Sequence, residues 1–265
     1  YSKLVIISES VKKFNQAIDY LNKIQNLSID KDVKIESFRK WLDIMKKLKL
    51  YDKIIIEIQE KLTYPEFNSS VLQDELNVEL GILYMKKNNF SNSKNIFNNV
   101  IENSNQKSIK SQSYYWLGYI SLFYEFELDL ALEYFNLGNE IMRSSKYSKD
   151  SKDYIKDINS YKTLLEEYNF LLSNEENEVI EENKEEEYFI PNNNMNSVVL
   201  EDSLLFIIAE KLFFDFNQRD LSIKKHNQLI EIYPNSEYVI RSKKIVNQLL
   251  NNSILNNEIL DSLNL

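Results

Sequence analysis

His226 is the chain's only histidine, and any imidazole-based proton transfer would have to rest on it. No cysteine and no second histidine can join it as nucleophile, relay or metal ligand, and no glycine-flanked serine elbow is present. Asp150, Asp153 and Asp157 recur at helical spacing beside Lys149, Lys152 and Lys156, a pattern that forms exposed ion pairs rather than a metal site. No glycine turns a calcium loop among them. Phosphate-binding loops are missing too, because the only three glycines, Gly81, Gly118 and Gly138, fall in helix-like stretches. The expectation is a protein that is not an enzyme and that uses no cofactor and no metal. The alternative from another class is an all-α ligand carrier or enzyme with a pocket around His226, Phe206, Phe213 and Phe214.

Composition says which elements must carry these residues. With 3 Gly and 3 Pro in 265 residues the chain has few means of making the tight turns of sheet proteins, so long helices with short polar connections follow. Hydrophobic residues make up 43%, enough for a folded core. A net charge of -9 opposes binding to a phosphate backbone, which excludes nucleic acid as the expected partner. Zero cysteines leave the redox compartment open. No apolar run reaches the roughly 18 residues needed to cross a bilayer. The opening Tyr1-Ser2-Lys3-Leu4-Val5-Ile6-Ile7 reads as folded-domain sequence rather than a signal peptide, and the missing initiator Met as a processed or trimmed product.

The helices repeat. Aligning Val5, Leu42, Gly81 and Gly118 gives steps of 37, 39 and 37 residues; aligning Ala17, Ile54, Ser93 and Ala131 gives 37, 39 and 38. The two ladders place a small or branched residue on the first helix of each hairpin and a second packing residue on the other. The second helix of the second unit is expected to end at Pro65. After Ala131 the register returns at Ala209, Ser222, His226 and Leu229, which puts His226 at the large packing position of its hairpin. Between them Tyr154, Ile158, Tyr161, Leu165, Tyr168 and Leu172 alternate in steps of four and three, the stripe of one long helix. Residues 174–196 carry eight glutamates and Pro191-Asn192-Asn193-Asn194, and read as an acidic, Asn-rich linker with a Tyr188-Phe189-Ile190 tip. Two capping helices are expected at the end, carrying Val239, Ile240, Ile245, Val246, Leu249 and Leu250, then Ile254, Leu255, Ile259, Leu260 and Leu263. The organisation expected is therefore an N-terminal helical-hairpin solenoid at 1–173, a linker at 174–196, and a repeat with capping helices at 197–265.

Leu80, Gly81, Tyr84 and Phe97, with Tyr114, Leu117, Gly118, Ala131 and Phe135, resemble the tetratricopeptide repeat family over about two thirds of the chain. The stretch Leu229 to Tyr238, with its Tyr233-Pro234-Asn235-Ser236 turn, is similar to repeats of bacterial cell-envelope members, the outer-membrane assembly lipoproteins and Tol-Pal coordinators. The resemblance implies a non-catalytic scaffold that binds a protein or peptide partner in a concave groove, in a periplasmic or cell-envelope setting. A cytoplasmic regulatory or chaperone-like adaptor is the alternative. Carried across, the groove is lined by Arg39, Asp43, Lys46 and Lys47, then Glu75, Val78, Ile82, Met85 and Lys86, then Gln112, Tyr115, Tyr119, Leu122 and Phe123. That order runs from basic through apolar to aromatic, and suits a peptide with an acidic and a hydrophobic portion. The competing expectation is that Tyr115, Tyr119 and Phe123 pack against the next repeat or against the long helix at Tyr154 to Leu172.

Overall fold

A computed structural model of the chain describes the backbone of residues 1–181 and 194–263 and the side chains of residues 1–173 and 201–251. Every regular element among the described residues is helical. The order is α1 (Ser2–Ser10), α2 (Phe14–Leu27), α3 (Lys31–Lys47), α4 (Tyr51–Lys61), α5 (Ser70–Lys86), α6 (Phe90–Asn103), α7 (Lys107–Ile120), α8 (Leu128–Ile141), α9 (Ser148–Glu181), α10 (Asn194–Phe214), α11 (Arg219–Ile232) and α12 (Val239–Leu263). A 3₁₀ turn, Pro65–Phe67, precedes α5, and a π-helical turn, Ser121–Glu125, extends α7. Pro65 therefore opens the 3₁₀ turn, while α4 already stops at Lys61.

The chain divides into two compact units, one of Tyr1–Ile120 with Glu133–Ser148, the other of Ser121–Leu132 with Lys149–Leu265. In the first unit α1 pairs with α2, α3 with α4 and α5 with α6, each through a short turn. Each turn holds a residue in the left-handed region: Lys12, Lys49 and Asn88. The amide that follows it reaches back five residues to a helix carbonyl, Lys13 to Ser8, Leu50 to Met45 and Asn89 to Tyr84, closing the helix end as a Schellman-type cap. The same device recurs in the second unit, where Phe126 and Asn217 have positive φ and the returning bonds, Glu127 to Ser121 and Gln218 to Leu212, span six residues. The five turn residues are separated by 37, 39, 38 and 91 positions, the spacing of the second packing ladder continued to Ser222.

Five places after each turn residue stand Ala17, Ile54, Ser93, Ala131 and Ser222, and four further on Leu21, Ile58, Phe97, Phe135 and His226, all fully buried. The first-helix positions aligned with them in the sequence are Val5, Leu42, Gly81, Gly118 and Ala209. At the two glycine positions bulk on one helix is matched by smallness on the other: a Cβ on Gly81 would lie 2.6 Å from Phe97 Cε1, and on Gly118 2.7 Å from Phe135 Cε1. Close-packed interiors leave no room for both. Ser93 donates to the Gly81 carbonyl at 2.8 Å, so this buried hydroxyl is satisfied across the hairpin.

The second unit is built on the long helix α9, whose Ile158, Tyr161 and Tyr168 are buried along the expected stripe. Tyr161 sets its ring edge-on to Phe126 and Phe216. The helix runs through Glu181, past the expected linker start at Asn174, and α10 begins at Asn194, before the expected linker end; glutamate is a good helix former, so the acidic run does not by itself stop a helix. Residues 182–193, with Tyr188-Phe189-Ile190, lie outside the described residues. At the C-terminus one helix, α12, replaces the two expected, since no proline or glycine interrupts Val239–Leu263. It packs on α11, with Val239, Val246 and Leu249 buried; the side chains of Ile254, Leu255, Ile259, Leu260 and Leu263 lie outside the described residues.

Candidate functional site

The first helices of the second, third and fourth hairpins, α3, α5 and α7, line one open groove of about 310 Å³ in the first unit. Arg39, Asp43 and Lys46 share a face of α3 because they stand at i, i+4 and i+7. Asp30 caps this helix, accepting from the amides of Asp32 at 2.8 Å and Val33 at 3.3 Å, and so fixes where its turns begin. Leu72, Glu75, Leu76, Val78 and Glu79 come from α5, and Ile109 and Gln112 from α7. Leu42, Leu72, Leu76, Val78 and Ile109 are buried and form an apolar floor; the charged groups stand on the rim.

The rim is already cross-linked by charge. Arg39 Nη2 lies 2.7 Å from Glu75 Oε2, and Lys46 Nζ lies 3.0 Å from Glu79 Oε1 and 3.4 Å from Asp43 Oδ1. Burial pulls the Lys46 ammonium down, but Glu79 and Asp43 beside it outweigh that and leave its pKa above the ordinary lysine value. Two cations thus face three carboxylates. The basic end expected from Arg39 and Lys46 is neutralised by Glu75 and Glu79, carboxylates from the next hairpin.

Of the other expected groove residues, Glu75, Val78 and Gln112 line it as well, while Met85, Lys86, Tyr115, Tyr119 and Phe123 lie elsewhere. Met85 is buried in the core with Phe97, Val100, Ile109, Leu117 and Ile120, and lines no part of this groove. Lys86 is exposed and holds its ammonium 5.5 Å from the centre of the Tyr51 ring on α4. Tyr115 is buried, stacked on Tyr147 at 4.4 Å and tilted against Phe135 at 6.0 Å. Tyr119 is half-buried beside Tyr115 and edge-on to Trp116. Phe123, in the second unit, sets its ring edge-on to Tyr154 of α9. The aromatic end of the expected surface is packing, the competing outcome: Tyr154 supplies its ring from the long helix, and Tyr147 from the turn before that helix.

His226 is fully buried in the second unit, with Nδ1 3.1 Å from Ser242 Oγ and the Phe206 ring edge-on at 5.5 Å. Burial first, and the Arg241 guanidinium second, push its pKa down to about 4, so at neutral pH the imidazole carries no charge. Phe214 is exposed and Phe213 lies edge-on to it. An imidazole packed at a helix-crossing position in place of a leucine or phenylalanine is out of reach of solvent. Asp157 is held above the usual carboxylate range by burial and by the nearby Asp215. No three His, Asp or Glu side chains gather as a metal site among the described residues.

The repeat spacing does not mark Glu79, Leu72, Leu76 and Ile109 as lining, and it gives Leu42 a packing place only. One signal for Glu79 was present: it follows Glu75 by four, as Asp43 follows Arg39, which puts a second carboxylate on the helix face opposite α3. Among the described residues no helix is long and apolar enough to cross a membrane. Compared with known proteins, the chain matches no family model and no curated sequence.

Proposed function

We propose that this chain is a non-catalytic scaffold of the tetratricopeptide-repeat kind, a stack of helical hairpins that holds a peptide segment of a partner protein in the groove between α3, α5 and α7. The observation that carries this reading is that the first helices of three successive hairpins contribute to one open groove with an apolar floor and a charged rim. Such a surface favours an extended or helical peptide, whose apolar side chains enter the floor while its polar ones meet the rim. With three carboxylates against two cations, the ligand that fits is apolar with a basic residue, in place of the acidic peptide suggested by the lysines and arginine alone. A cell-envelope setting rests on the Tyr233-Pro234-Asn235-Ser236 turn, and fractionation of cells expressing the tagged full chain tests it.

Selection from a randomised peptide library on the immobilised chain tests the groove. The expected result is enrichment of sequences pairing large apolar residues with Lys or Arg, and loss of that preference for Asp43→Lys/Glu75→Lys. Selection without preference, or the same preference in the variant, would remove the groove from the proposal.

A further inference from the structure

Three hairpin turns of the first unit lie side by side on one edge. Between the first and second turns, Glu9 and Lys47 approach to 3.9 Å, and Leu48 shares the wall of a hollow of about 390 Å³ with Lys12, Lys13 and the opening residues of α2. Between the second and third, Lys87 pairs with Asp52, and Lys86 holds its ammonium 5.5 Å from the centre of the Tyr51 ring. The edge presents Lys12 and Lys13, then Lys49 and Lys53, then Lys86 and Lys87, all exposed. Within residues 9–16, 46–54 and 86–92, which span the three turns, Glu9 and Asp52 are the carboxylates, and Lys47 and Lys87 answer them. Lys12, Lys13, Lys49 and Lys53 stand in no ion pair among the described residues. The second and third turns have a hairpin on either side, through α2 on α3, α4 on α5 and α6 on α7, so their exposure belongs to an edge of the unit and not to an open end.

Helix stability accounts for part of this row. A cation beside a helix C-terminus complements the dipole, as Lys47 and Lys86 do in the last turns of α3 and α5. The same rule counts against Lys13, at the N-cap of α2, and Lys53, in the first turn of α4, where a cation meets the positive end of the helix. Nor does the turn itself require lysine: the one between α7 and α8 places Phe126 in the left-handed region and carries Glu125, Glu127 and Asp129.

We propose that this lysine edge is a membrane-contacting surface, which meets the phosphate headgroups of anionic lipids. Lysine binds phosphate as a point charge and is depleted in protein interfaces, where aromatic residues and arginine are enriched. No arginine lies in the three turns, and Tyr51 is half-buried with Lys86 over its ring. Reading a nucleic acid calls for the same missing groups, arginine for base edges and open rings for stacking. Screening confines each charge to about 8 Å at physiological salt, so the local sign of the edge decides what it attracts, in place of the net charge of -9 on the whole chain. Each lysine near an anionic leaflet strengthens attachment by about fivefold, and a row of them makes attachment reversible and salt-sensitive. This edge is distinct from the groove of α3, α5 and α7 and does not depend on it.

The test is co-sedimentation of the full chain with sucrose-loaded vesicles of phosphatidylcholine, with and without about one third phosphatidylglycerol. Uptake is expected by the anionic vesicles alone, falling as salt rises. Lys49→Glu/Lys53→Glu should weaken it by at least about tenfold, while Lys49→Arg/Lys53→Arg should keep it. Lys31→Glu/Lys107→Glu, the same change of charge at the N-terminal ends of α3 and α7, should leave it within about twofold of the parent. All four lysines are exposed, so circular dichroism of both glutamate pairs should match the parent; Lys49→Gln/Lys53→Gln serves as a milder pair. No uptake, equal uptake by both kinds of vesicle, or an equal loss in both glutamate pairs overturns the proposal. So does binding of soluble poly-glutamate or of a DNA duplex that depends on Lys49 and Lys53 while vesicles stay unbound, which would give the edge to an acidic protein or a nucleic acid.

Discussion

Replacing Gly81 by Val asks the third hairpin to adopt the solution used by the first, where Val5 stands at the same place, without the smaller partner Leu21 that goes with it. In the native packing a Cβ at position 81 falls 2.6 Å from Phe97 Cε1 and 2.8 Å from Cζ, inside contact distance, and Phe97 has no exposed surface into which its ring could move. Overpacking of this kind costs about 1–3 kcal/mol. Valine recovers a few tenths of a kcal/mol, on the order of the propensity difference between Gly and Val in a helix, so a net loss of about 1–2 kcal/mol is expected. Phe97→Leu alone opens space and loses about 1–2 kcal/mol of buried apolar contact. Together the two changes recreate the Val5 and Leu21 pairing, and the double variant should be more stable than the sum of the singles by about 1–2 kcal/mol. Urea unfolding read by tryptophan fluorescence reports this unit selectively, since both tryptophans, Trp41 and Trp116, lie within it. Additive losses would refute the claim that these two positions compensate each other in volume. A rise in stability for Gly81→Val alone would show that the ring can yield.

Three further outcomes are expected. Lys49→Gly should raise stability by about 0.5–1 kcal/mol in the same unfolding assay, because φ at this exposed turn residue is 56°, a conformation glycine adopts without the strain of a Cβ. His226 binds its proton near pH 4 in the native state but near the ordinary histidine value when unfolded, so the unfolded chain takes up more protons between those limits. Stability should therefore fall, by up to about 3 kcal/mol from this group, as pH drops from about 6.5 toward 4, and His226→Leu should flatten that part of the urea-midpoint profile. Arg39→Ala should change folding stability by less than about 1 kcal/mol despite the 2.7 Å contact to Glu75, because both side chains stand on the exposed rim, where solvent screens the pair. A larger loss in calorimetry would make the rim of the groove a structural clasp.

Hairpin positions were legible because their information is local. Ala17, Ile54, Ser93, Ala131 and Ser222 recur at the step of the turns, and burial of each follows from its place on a short amphipathic helix. His226 could be read as packing for the same reason: its place in the ladder is held elsewhere by Leu21, Ile58, Phe97 and Phe135. The turns themselves were hidden. A left-handed residue is signalled by Gly or Asn, and Lys12, Lys49 and Phe126 carry no such signal, so only the closing of each helix end onto its cap puts them there.

Amino-acid order by itself determined that this chain is helical, where most of its hairpins begin, and which residues form the packing ladder of each second helix, since all of these depend on neighbours within a few turns. Tertiary structure alone decided what the surfaces present. Arg39 meets Glu75 and Lys46 meets Glu79 across 36 and 33 residues of chain, and no periodicity within α3 announces that its cations are answered from α5. Tyr115 is withdrawn from the surface by Tyr147, and Phe123 is partly covered by Tyr154, rings that follow each by about thirty positions. Which face of a helix is apolar is written along that helix, whereas whether the face is left open, filled or neutralised is set by the helix that lands beside it.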